Sequence, residues 1–121
     1  MKSILVVDDE VAVAEVLASL LTDAGYHVIP ASNGKHALAR LHEATPQLIL
    51  TDFMMPLLGG NGLIAVLKAD PRLRDIPVVV MTSIPERTVA EQSDSYAGFL
   101  RKPFKIRDVL AIVEKLIGPG G

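Results

Sequence analysis

The sequence predicts an α/β fold built on a doubly wound parallel sheet, and three observations carry the prediction. Short apolar runs alternate along the chain with segments of helical periodicity. The first, third and fourth runs are apolar throughout, as strands covered on both faces must be. The second run contains Pro30, which cannot donate to a ladder and belongs at a sheet edge.

The first run, Ser3 to Val7, ends in Asp8-Asp9. In the helix that follows, Val13, Val16, Leu17, Leu20, Leu21 and Ala24 recur at helical spacing against Glu15, Ser19 and Asp23. Gly25 stands where a left-handed cap is expected. The second strand covers roughly His27 to Ala31. A helix from about Asn33 to Ala44 turns Ala37, Leu38 and Leu41 inward, and Pro46 breaks the chain before the third run, Leu48 to Thr51, which ends in Asp52. The next helix is expected over about Gly62 to Ala69, stopping before Pro71 because the residue ahead of a proline avoids the α region.

The fourth run, Pro77 to Met81, ends in Thr82-Ser83. Pro85 suits the first turn of a short helix, Glu86 to Ser93, that frays if its packing is weak. The fifth run, Gly98 to Arg101, mixes polar and apolar residues like an edge strand and ends in Lys102-Pro103. Val109, Ile112, Val113 and Leu116 form one stripe of a last helix, Ile106 to Ile117. With the second and fifth strands outermost the order is 2-1-3-4-5, the flavodoxin-like (βα)5 arrangement with helices on both faces. Right-handed crossovers then reverse the winding between strands 1 and 3, and a ligand crevice opens there, off the carboxyl ends of the strands.

A chain of 121 residues fits one domain, read here as residues 1–117 with a Gly-Pro tail over 118–121. The tail is compatible with a stand-alone protein or with a piece of a longer one. A formal net charge of −2 gives no electrostatic case for nucleic acid or an anionic membrane surface. The absence of cysteine excludes disulfides and thiolate chemistry, and the opening apolar run is too short for a signal segment or a membrane span. A cytoplasmic protein, monomeric or weakly dimeric, is the expectation.

Chemistry is concentrated at the strand ends. If the runs are neighbouring parallel strands, Asp8, Asp9 and Asp52 meet Thr82 and Lys102 at one sheet edge. Crowded carboxylates repel one another, and a hard divalent cation with oxygen ligands, Mg²⁺ above all, relieves that repulsion. Asp52 is then placed to act as a nucleophile on phosphorus. Lys102, the Thr82 hydroxyl and the Ser83 backbone N–H are placed to stabilise the transferring oxygens. Singly each piece is ordinary. Asp8-Asp9-Glu10 suits a helix N-terminus, Asp52 suits a turn, and Lys102 suits a surface. Their joint position at strand ends flanking the switch point is what points to a site.

These residues resemble the receiver domain of two-component response regulators over essentially the whole chain. The matching pieces are Asp8-Asp9, Asp52-Phe53-Met54-Met55-Pro56 with Gly60, Thr82-Ser83 and Lys102-Pro103-Phe104. The resemblance implies that Asp52 takes a phosphoryl group, with Mg²⁺ (or Mn²⁺) bound, from the phosphohistidine of a histidine kinase or phosphotransfer protein, or from a small phosphodonor. It implies Asp9, Asp52 and the Met54 backbone carbonyl as metal ligands, with Asp8 acting through a metal-bound water. Lys102 and Thr82 would engage the phosphoryl group, and Phe99 would be the aromatic switch following Thr82. Phosphorylation would remodel the face made by the fourth helix, fifth strand and fifth helix, for a separate downstream protein.

On this reading the chain is no enzyme beyond its own phosphorylation and dephosphorylation. An aspartyl phosphatase would need a second acid where Met54 stands. The alternative is a pseudo-receiver, an interaction module that never turns over phosphate. Three departures from the family pattern stand out. Gly59 replaces the usual Asp and is expected to loosen its loop, Thr82 and Lys102 lie 20 positions apart, and Phe99 lacks a hydroxyl. Met54 and Ile84 are apolar beside the path of a hydrolysing water, which predicts slow self-dephosphorylation.

Overall fold

The structure, a computed structural model, describes residues 2–55, 57–93 and 95–120. Pro56 and Gly121, both singled out in the sequence, lie outside the described residues. Five parallel strands, β1 (Ser3–Val7), β2 (His27–Ala31), β3 (Leu48–Asp52), β4 (Val78–Thr82) and β5 (Gly98–Arg101), form one sheet in the order β2-β1-β3-β4-β5. They alternate with α1 (Val11–Asp23), α2 (Gly34–Glu43), α3 (Gly60–Ala69), α4 (Glu86–Gln92) and α5 (Ile106–Ile117). Pro30 lies in edge strand β2, opposite Val6 in the register of β1 with β2. The expected order therefore holds, and for the expected reason.

Alternation of side chains along the strands divides the core between the two faces. Leu5, Val7, Ile49, Val78 and Val80 face a cluster completed by α2 and α3, whereas Ile4, Val6, Leu48, Leu50, Val79 and Met81 face α1 and α5. β3 and β4 are buried at every position, including the polar residues Thr51, Asp52 and Thr82 at their carboxyl ends.

Helix α1 departs from expectation at one residue. Leu17 and Leu21 are buried one turn apart, but Val16, read as inward, is 54% exposed. The helix docks on the stripe through Leu17 and Leu21, and a residue one step back lies about 100° round the helix. The close of α1 is as expected. Gly25 takes φ 97°, its N–H bonds the Thr22 carbonyl at 3.0 Å, and the Tyr26 N–H bonds the Leu21 carbonyl at 3.0 Å.

Helix α2 starts one residue later than expected because Asn33 caps it, its side chain accepting the His36 N–H at 2.8 Å. Helix α3 starts at Gly60, two residues early. A Cβ at Gly60 would lie 2.9 Å from the Asp52 carbonyl oxygen, so the helix begins hard against the end of β3. Helix α4 ends at Gln92 and α5 has the expected bounds.

The two ends of the chain meet at the amino pole of the sheet. The Lys2 ammonium donates to the carbonyls of Ile117 (2.6 Å) and Pro119 (3.1 Å), and the Tyr26 hydroxyl donates to the Gly118 carbonyl (2.6 Å). The Gly-Pro segment is thus fastened over Tyr26 as far as it is described.

Candidate phosphoacceptor site

Parallel pairing of β1 with β3 and of β3 with β4 delivers Asp8, Asp52 and Thr82 to the carboxyl edge of adjacent strands. All three are buried, with exposures of 3%, 5% and 2%. Lys102 follows β5 and reaches back across the edge. Its ammonium lies 2.9 Å from Asp8 Oδ2, 3.0 Å from Glu10 Oε1 and 3.4 Å from Asp52 Oδ2. The Lys102 N–H also donates to the Thr82 carbonyl at 2.9 Å, and the Lys102–Pro103 peptide is cis.

The carboxylates are oriented by backbone donors. Asp8 Oδ1 accepts the Glu10 N–H at 2.9 Å, and Asp52 Oδ1 accepts the Met54 N–H at 3.3 Å. The Thr82 hydroxyl accepts the Ile84 N–H at 3.3 Å. A cleft of about 330 Å³ opens between them, lined by Asp9, Glu10, Asp52, Met54, Thr82, Ser83 and Lys102. Every residue that sequence reasoning placed at the site lines this cleft except Asp8, which sits beneath it bonded to Lys102, and Phe99. Phe99 is half-buried against the α2/α3 side of the core, in register with Val80 on β4.

Burial pushes the Asp52 carboxyl up to about 6. The Lys102 ammonium pulls it down, the Asp8 charge pushes it up again, and the Met54 N–H lowers it slightly. At Lys102 burial works against the charged form, but the hydrogen bonds to Asp8 and Glu10 and the charges of Asp52 and Asp8 outweigh it, raising its pKa. Two carboxylates out of water with one ammonium leave negative charge in excess at the pocket floor.

The donor set suits a hard divalent cation. One carboxylate oxygen from each of Asp8, Glu10 and Asp52 lies within 4.8 Å of the others, and all are oxygen ligands. Asp9 is exposed and lines the same cleft. Glu10 is the residue sequence reasoning missed at this site. It was legible only as the third member of an acidic run, which a helix N-terminus explains without any pocket.

The loop after β3 also differs from expectation. Gly59, expected to loosen it, has φ −76° and uses none of glycine's freedom. The left-handed positions fall instead on Leu57 (φ 61°) and Leu58 (φ 116°), a costly conformation for residues with a Cβ. The Leu58 carbonyl accepts the Gly34 N–H at 3.2 Å, which fastens the loop to the start of α2.

Comparison with known proteins agrees with this geometry. The family model for the response regulator receiver domain matches residues 4–114. The phosphate regulon transcriptional regulatory protein PhoB of Pseudomonas aeruginosa is 35% identical over 124 residues, covering 98% of this chain and 54% of that protein. The chain spans about half the length of the curated relatives it matches. Among solved structures, the receiver domain of sensor histidine kinase PA1611 of P. aeruginosa, with magnesium in its active-site cleft, is 26% identical. The match has a TM-score of 0.87 and covers 97% of this chain and 98% of that one. Response regulator TrrA of Thermotoga maritima, in complex with Mg²⁺ and BeF, is 27% identical with a TM-score of 0.87, covering 97% and 100%. Sheet order, acidic cleft and sequence matches together show that the chain belongs to the response regulator receiver domain family of two-component systems.

Proposed function

We propose that this chain is a phosphoacceptor receiver in which Asp52 takes a phosphoryl group from the phosphohistidine of a histidine kinase or phosphotransfer protein, or from a small phosphodonor. The observation that carries the reading is the buried Asp52 carboxylate, within reach of one ammonium and open to a cleft lined by Thr82 and Ser83. In the transfer an Asp52 oxygen bonds to phosphorus as the bond from phosphorus to the donor nitrogen breaks, and the departing imidazole takes up a proton. Lys102 and Thr82 hold oxygens of the transferring group, and the Ser83 backbone N–H supplements them.

Asp9, Asp52 and the Met54 carbonyl would hold Mg²⁺ (or Mn²⁺), with Asp8 acting through a bound water. Such a cation, when bound, neutralises charge shared between the carboxylates and the phosphoryl oxygens. Magnesium in the cleft of the PA1611 receiver supports the assignment.

On this reading the chain catalyses only its own phosphorylation and dephosphorylation. Phosphorylation draws the Thr82 hydroxyl from its Ile84 bond, Phe99 repacks, and the face of α4, β5 and α5 is presented to a downstream partner. Helix α4 has only 7 residues and is anchored in the core through Val89, the one buried residue among them. Its start is tied by the Tyr96 hydroxyl, which bonds Glu86 at 3.2 Å, so the change works against one buried side chain and one exposed bond. No helix among the described residues is long and apolar enough to cross a membrane, which is compatible with a cytoplasmic setting.

Intact-mass analysis after acetyl phosphate and Mg²⁺ tests the proposal. The native chain should gain one phosphate-sized adduct and Asp52→Asn none. An adduct that persists in Asp52→Asn would move the site, and no adduct on the native chain would favour a pseudo-receiver.

A further inference from the structure

A lysine ammonium has three N–H donors, and in Lys102 three carboxylates engage them: Asp8, Glu10 and Asp52. A phosphoryl oxygen that Lys102 is to hold must displace one of them. The three are not equivalent. The Asp8 side chain is fully shielded, and its other oxygen already accepts the Glu10 N–H, so removing the ammonium would leave a buried charge stranded. Asp52 loses its carboxylate charge on taking the phosphoryl group, so its 3.4 Å contact passes to a phosphoryl oxygen, and the ammonium must follow that oxygen away from whichever other partner holds it least. The Glu10 side chain is 60% exposed, so water replaces the ammonium there at little cost. Nor is Glu10 occupied as a cap, because its side chain makes no bond to the first turn of α1.

We propose, resting on the phosphoacceptor reading above, that Glu10 is a positioning residue for Lys102. In the unphosphorylated protein it holds the ammonium at the cleft mouth, and it is the partner that Lys102 gives up when a phosphoryl group is on Asp52. Glu10 thereby restrains entry into the phosphorylated arrangement. Its backbone and side chain bracket the same pair, the N–H on Asp8 and the carboxylate on Lys102, so the residue is built into the resting network.

The test uses fluoroberyllate at saturating Mg²⁺ as the probe, on native chain, Glu10→Gln and Glu15→Gln. Glu15 is an exposed acid on α1, so its variant makes the same charge change away from the Lys102 network. Half-saturation is read by amide NMR, and the Lys102 ammonium by ¹⁵N NMR, assigned by its loss in Lys102→Arg. Glu10→Gln should lower the half-saturating concentration about three-fold, the scale of a largely exposed ion pair. It should also shift the Lys102 ammonium resonance before any ligand is added, and Glu15→Gln should do neither. An unchanged half-saturation in Glu10→Gln overturns the proposal. So does a lowered value with an unmoved Lys102 resonance, since the charge would then act through space alone. If the native chain takes no fluoroberyllate, the phosphoacceptor reading falls and the restraint with it. A native chain that binds the probe and a Glu10 variant that matches it leave that reading standing and remove only the restraint.

Discussion

Asp52→Asn should stabilise the cation-free protein at neutral pH, because the Asp52 carboxylate is held charged where the fold prefers it neutral. Its pKa rises from the ordinary 3.8 to about 6 in the folded protein, with burial the largest cause. Between those two pH values the folded chain binds more protons at Asp52 than the unfolded chain does, so stability falls as pH rises through the window. Below the window the carboxyl is neutral in both states and its contribution vanishes. Above about pH 6 the full penalty applies. A rise from 3.8 to about 6, at about 1.36 kcal/mol per pH unit, comes to about 3 kcal/mol. In a chain of this size that is a rise in Tm on the order of 10 °C.

Thermal unfolding followed by circular dichroism in chelator, at intervals from pH 4 to pH 8, measures the effect. The two proteins should coincide at the acid end and separate steadily above it, with the variant the more stable. Added Mg²⁺ should raise the native Tm and leave the variant nearly unmoved, closing the gap from the native side. A variant no more stable than native at pH 7.5 without divalent ions would refute the account of how Asp52 is held.

Lys102→Ala strands Asp8 and Asp52 with no cation and should cost about 3 kcal/mol without divalent ions, a loss that Mg²⁺ largely restores; denaturant titration with and without Mg²⁺ checks it. Met54 is exposed at the cleft and Ile84 packs on the core, and neither can orient a hydrolysing water. Loss of the acyl phosphate, followed by mass, should therefore be slow, and decay within seconds at neutral pH in Mg²⁺ buffer would count against that. A methyl at Gly34 meets the backbone carbonyl of Leu58, whereas one at Gly98 meets the movable end of Ile112. Gly34→Ala should accordingly cost about 3 kcal/mol and Gly98→Ala about 1 kcal/mol by chemical denaturation. Equal losses would mean that the Leu58 loop yields as easily as a side chain.

Legibility in the sequence followed the kind of interaction involved. Strand order was readable because a single proline in β2 lacks a donor and because the buried strands β3 and β4 are apolar until their last one or two residues. Asp8, Asp52, Thr82 and Lys102 were readable because parallel strands deliver their carboxyl ends to one edge whatever the loops do. What escaped depended on loop path and helix rotation. Val16 fits the helical period yet faces outward, since periodicity fixes spacing but leaves the docking angle open by a residue. The start of α3 was obscured because glycine at its head suggests a breaker, whereas a close approach to β3 selects it. Glu10 was hidden because an acid ahead of a helix has an ordinary explanation, and only the reach of Lys102 across the sheet reveals another.

The bonds from Lys2 to the Ile117 and Pro119 carbonyls bring head and tail together at the pole farthest from the acidic cleft. A fluorophore, surface tether or fused domain attached at either end will therefore leave the molecule on the side away from the acidic cleft. The same closeness makes the chain a good subject for circular permutation, in which a short bridge joins the old ends and a new opening is cut in a surface turn.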